Sequence, residues 1–339
     1  MIPPMVMLQK MVYHNISFCC KPLPATMMIH RQLLSSLLLV TSLLLSFSVS
    51  AQVRVVTSIK PLQMIAHAIT DGIAAPEVLI PDNQSYHHFV LRPSTVRLLS
   101  QADLVVWIGP ELEMWMEGQL AGSQKTVVEV LSLPGLITQH SGHDHEDAVE
   151  VLIPEQGSHA GHQHKDGAFL DPHVWLDTRN ALLTARAITA ALIQLDADNA
   201  SQYQNNLDTF QQQLAQLEIR LQTQLEPLRQ TDYAVYHDAF QYFESEFGLS
   251  HSLVFVGNEE LQPGVRHTLA VRQAIANRPI TCLMEDVTAQ ASTIRALLGN
   301  HPVKRITADT TGQTLTSTPQ AYIQMISNLA DAFLQCQSQ

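Results

Sequence analysis

The sequence predicts an α/β protein of two similar lobes, each a parallel sheet flanked by helices, joined by one long rigid helix. Three observations carry this reading. Short apolar runs rich in β-branched residues alternate with helical stretches. The alternation appears in both halves of the chain, and one amphipathic stripe separates them. With 339 residues, 46% of them hydrophobic, the chain can bury one large core or two ordinary ones. Its 19 Lys+Arg against 31 Asp+Glu give a formal −12. That acidity, with no basic run, argues against nucleic acid or an anionic membrane surface as partner. Sixteen histidines are more than packing requires and bring metal chemistry forward.

Residues 1–51 read as a leader. A short basic region with Arg31 precedes an apolar stretch at 33–49, and small residues at Val49, Ser50 and Ala51 mark cleavage after Ala51. Six Ser and Thr residues interrupt the stretch, which is short for a membrane span of about 20 residues. Residues 1–27 precede a second start at Met27 or Met28 and are read as an over-extended frame. The exported chain then carries 16 basic and 31 acidic residues, a formal −15. Of the four cysteines it keeps Cys282 and Cys336. An even pair in an oxidising compartment is read as a disulfide. Closing that loop of about 55 residues stabilises by about 4 kcal/mol in the chain-entropy model.

Strands are expected at 53–58, 77–80, 104–109 and 126–130, with helices at 61–73 and 93–101 between them. The second half repeats the rhythm with strands at 233–237, 253–257, 280–285 and 303–307. Between the halves, Tyr203, Leu207, Phe210, Leu214, Leu217, Leu221 and Leu225 recur at steps of three and four. They predict one helix over 200–225, roughly 39 Å long, with Asp196 and Asp198 as cap candidates and Pro227 as its end. The lobes are placed at 52–195 and 229–339, with 196–228 connecting them.

At 138–168 the rhythm stops. His140, His143, His145, His159, His162 and His164 stand among acids and glycines in two HxxHxH clusters. Such a segment cannot pack a core and is read as a mobile, low-affinity zinc collector. Three other histidines are candidates for a tight site: His87 after the strand at 77–80, His173 where the insert returns to regular structure, and His237 at the end of the strand at 233–237. Parallel sheets bind ligands outside the carboxyl ends of their strands, so these residues point to the cleft between the lobes. Three imidazoles suit zinc, which wants a fourth donor: Asp309, Asp286 or a water. Glu244 and Glu246, shortly after His237, are read as solvated helix residues.

The runs SIKPL (58–62), SYHHFVLRPS (85–94), ADLVVWIGPELE (102–113), DPHVWLD (171–177), YHDAFQYFESEFGL (236–249) and LQPG (261–264) resemble the ZnuA family, the zinc-specific periplasmic substrate-binding proteins of ABC importers. The similarity covers essentially the whole chain after the leader. It implies capture of Zn²⁺ as a transported ligand in the periplasm and delivery by a monomer to a membrane permease driven by a cytoplasmic ATPase. It places ligands on His87, His173 and His237, and the related carboxylate of the wider cluster on Asp309. Zinc-specific members often carry Glu immediately before the first histidine, where this chain has Tyr86, a poor replacement for a carboxylate. The alternatives are a stand-alone zinc buffer and a secreted zinc hydrolase; the sequence has neither an HExxH motif nor a marked substrate cleft for the latter.

Overall fold

The computed structural model describes residues 52–82, 84, 89–141, 169–256, 264–278, 280–287 and 289–337. The leader, Tyr86, His87, and His143, His145, His159, His162 and His164 of the insert lie outside the described residues.

In the first lobe, β1 (Val55–Thr57), β2 (Glu77–Val78), β3 (Leu104–Trp107) and β4 (Thr126–Glu129) form a parallel sheet in the order β2-β1-β3-β4. A two-residue antiparallel pair, β5 (His140–Ser141) with β6 (Phe169–Leu170), ties the two ends of the insert together. His140, expected in the loop, therefore belongs to this pair. In the second lobe, β7 (Ala234–His237), β8 (Leu253–Val256), β9 (Cys282–Asp286) and β10 (Lys304–Ala308) are parallel in the order β10-β9-β7-β8. Both sheets thus start in the middle and reverse direction at their first strand. Such a switch point opens a crevice at the carboxyl ends.

Helices α1 (Lys60–Thr70), α2 (Pro93–Gln101) and α3 (Pro110–Leu120) each carry proline in the first turn, where its missing N–H costs nothing. The sequence pattern did not reveal α3. It is broken at Glu113 (φ −119°, ψ 56°), whose carboxylate turns back to accept from the Ile108 and Gly109 amides. Helix α4 (Thr178–Leu195) is capped by Asp177, which accepts from the Arg179 and Asn180 amides.

Helix α5 (Ala200–Leu225) is the expected 26-residue helix and buries the expected stripe. Asn199, not Asp196 or Asp198, is its N-cap residue. Asp196 still fastens the first turn by accepting from the Tyr203 hydroxyl at 2.9 Å, and Pro227 sits in the 3₁₀ turn that follows. The remaining helices are α6 (Gln241–Phe247), α7 (Val265–Ala276), α8 (Ala291–Leu298) and α9 (Ala321–Gln337).

Helix α5 packs against α1, α4 and α9. One apolar core therefore runs from Val55 and Val106 of the first sheet through Leu214 to Val235 and Met284 of the second, with smaller clusters on the outer faces. Cys282 and Cys336 form the expected disulfide (Cα–Cα 5.5 Å), pinning α9 to β9.

Candidate metal centre

His237 ends β7 at the switch point of the second sheet and is buried. Its Nδ1 lies 2.6 Å from Asp286 Oδ2. The register Val235↔Met284 between β7 and β9 brings that carboxylate alongside. His173, also buried, precedes a 3₁₀ turn at Val174–Leu176. Its Nδ1 lies 2.6 Å from Asp171 Oδ1, which also accepts from the His173 amide at 2.9 Å. A carboxylate on Nδ1 favours the tautomer whose lone pair is on Nε2, and it fixes the ring's aim.

The two rings adjoin, with centroids 5.6 Å apart and planes tilted 58° to each other. Imidazoles sharing a zinc ion at about 2.0–2.1 Å per Zn–N bond have centroids roughly 5 Å apart. The observed spacing is close to that value. Among the described residues no three His, Cys, Asp or Glu side chains are grouped to hold a metal, so this pair needs a further donor. His87, the expected one, lies outside the described residues.

Asp309 is engaged elsewhere. Its Oδ1 accepts from the Gln313 amide at 3.0 Å and from the Thr311 amide at 3.3 Å; its Oδ2 accepts from the Thr314 amide at 3.0 Å and hydroxyl at 3.1 Å. Both oxygens thus organise the turn after β10. Asp286, weighed as a fourth ligand, instead stands behind His237.

Helix α6 holds the His173 segment in place. The Tyr242 hydroxyl donates to the Asp171 carbonyl at 2.8 Å and accepts from the Gln139 amide at 2.9 Å. Glu246 accepts from the Thr178 amide at 2.8 Å and from the Thr178 hydroxyl. The expectation that Glu244 and Glu246 are solvated is wrong: they are only 2% and 9% exposed. Helix α6 is wedged between the segment bearing His173 and α5, so both carboxylates face protein. Burial, and then the nearby Asp177 charge, push Glu246 up to about 7, against the hydrogen bonds from Thr178.

Glu244 accepts from the Tyr233 hydroxyl and lies 2.8 Å from His251 Nδ1. Burial pushes the His251 ring down, but the Glu244 and Asp238 carboxylates outweigh it and hold the ring at about 9. This buried ion pair braces the turn that begins at His237. Asp171, Tyr242 and the Glu244–His251 pair were not read from the sequence. Only Asp171 left a signal there, an acid two residues before a candidate ligand.

Comparison with known proteins bears on what this centre holds. The sequence profile of the family described as zinc-uptake complex component A, periplasmic (ZnuA), matches residues 55–336. The chain belongs to that family. It is 33% identical over 297 residues to the high-affinity zinc uptake system protein ZnuA of Yersinia pestis, covering 84% of this chain and 92% of that one. Its fold matches a crystal structure of ZnuA with a TM-score of 0.69 at 21% identity, over 85% of this chain and 100% of the other. It also matches a ZnuA deletion mutant with zinc bound, with a TM-score of 0.67 at 20% identity, over 85% and 99%. ZnuA-family proteins bind zinc and serve transport. The paired imidazoles of this member are of the donor type that zinc prefers.

Proposed function

We propose that the chain captures Zn²⁺ in the periplasm with His87, His173 and His237 and hands it to a membrane ABC permease driven by a cytoplasmic ATPase. In this reading 1–51 is the leader, removed after Ala51, and the lobes at 52–195 and 229–339, joined by 196–228, work as a monomer. Among the described residues no helix is long and apolar enough to cross a membrane. The observation that carries the reading is the buried His173–His237 pair, 5.6 Å between ring centroids, each ring backed by a carboxylate. For the fourth position the proposal favours a water, since Asp309 would have to give up the hydrogen bonds of its own turn.

Isothermal titration with zinc tests this. The mature chain should bind one ion tightly, and His87→Ala, His173→Ala and His237→Ala should each weaken that step by about 100-fold or more. Deletion of 142–164, the collector beyond β5, should leave the tight step in place; a deletion that abolished it would overturn the assignment. Transfer of bound zinc to the permease in proteoliposomes separates delivery from the buffer alternative.

A further inference from the structure

Lys60 opens α1, and its ammonium is buried at the seam between the lobes. It donates to Asp82 Oδ2 at 2.7 Å in the first lobe and to the Gln313 carbonyl at 3.1 Å in the second. Gln313 belongs to the turn that Asp309 organises. The same helix continues the seam along one face. Gly312 (φ +67°) lies so close to α1 that a Cβ there would stand 2.5 Å from Met64 Cε. One turn on, His67 Nδ1 is 3.1 Å from Ser317 Oγ. The Asp309 turn also reaches the metal centre: the Thr310 carbonyl accepts from Trp175 Nε1 at 2.8 Å, and the Trp175 ring lies 5.2 Å from that of His173.

We propose that Lys60 is a positioning residue for zinc retention: by binding Asp82 and the Gln313 carbonyl at once, it holds the second lobe's turn against the first and sets how fast the ion escapes. The inference rests on the zinc-binding reading above. Among the described residues Lys60 bonds to Asp82 and Gln313 and not to His173 or His237, so it acts on those two through the Asp309 turn and Trp175. Separating the lobes breaks the Gln313 bond and returns the ammonium to water, whereas the Asp82 bond lies within one lobe. Asp82 alone, with a side chain 49% exposed, would give little. Of the two Lys60 bonds, the one that spans the seam is the one release must break.

Stopped-flow transfer of zinc to excess EDTA measures the release rate. Lys60→Met should release zinc about tenfold faster with an unchanged capture rate, the loss expected for one charge-assisted hydrogen bond. Asp82→Asn should have a smaller effect, and the double variant should add little to Lys60→Met. Melting of the zinc-free variants is the control. Unchanged release from Lys60→Met, or an acceleration matched by an equal loss of zinc-free stability, overturns the latch alone. If the wild-type chain fails to retain zinc, the binding reading falls with it.

Discussion

Asp171 and Asp286 fix the orientation of the imidazoles they face, so the centre is built from pairs and not from single rings. Asp171→Asn and Asp286→Asn should each weaken zinc binding about 10- to 100-fold by isothermal titration while the chain stays folded. The two described histidines were legible in the sequence because each stands where a strand or insert ends. Their orienting acids were less so. Asp286 belongs to a different strand, and only sheet register reveals that it adjoins His237. A second residue-scale consequence concerns Glu113. Burial pushes its carboxyl up to about 7, against the pull of Ser58 and the Gly109 and Ile108 amides. The folded state therefore favours the protonated form. Its contribution is full below the unfolded value near 4.5 and is lost as pH rises through 7. The shift corresponds to about 3 kcal/mol. Scanning calorimetry of Glu113→Gln, which keeps the shape, should show a flatter fall in melting temperature between about pH 5 and pH 8 than the parent chain.

Among the elements, α5 was readable to the residue because one face of an isolated amphipathic helix imposes its period on the sequence. Leu214, on that face and in the shared core, should cost about 2–5 kcal/mol when cut to Ala, measured by urea unfolding. Helix α3 was missed because its first turn serves a buried carboxylate in place of a periodic apolar face. Helix α6 was misread for a related reason. At seven residues it is too short to show a period, and it is packed on several sides, so its acids cannot be sorted by spacing into inside and outside. Its neighbour α9 supplies Phe333, stacked on Phe243 at 5.1 Å and edge-on to Tyr233 and Phe240. That cluster packs behind the turn of His237.

For the whole molecule, two pH trends run in opposite directions. Glu113, Glu246 and His251 all bind protons more tightly in the folded chain, so their contribution to zinc-free stability declines as pH rises through about 7 and on towards 9. Zinc binding strengthens as pH rises, because its imidazole ligands must be deprotonated. The melting-temperature increment on adding zinc should therefore grow from about pH 5.5 to pH 8, and an increment that shrank would contradict the site. The two-lobed plan followed from strand–helix rhythm, while the fusion of both lobes into one core did not, since contact across lobes leaves no periodic trace. The β5–β6 clasp has a practical side as well. Because His140 pairs directly with Leu170, any sequence spliced between them leaves and rejoins the surface at one spot. A fluorescent protein grafted in exchange for residues 142–168 would enter and leave through this one ladder, which makes it a natural socket for turning the chain into an optical zinc gauge.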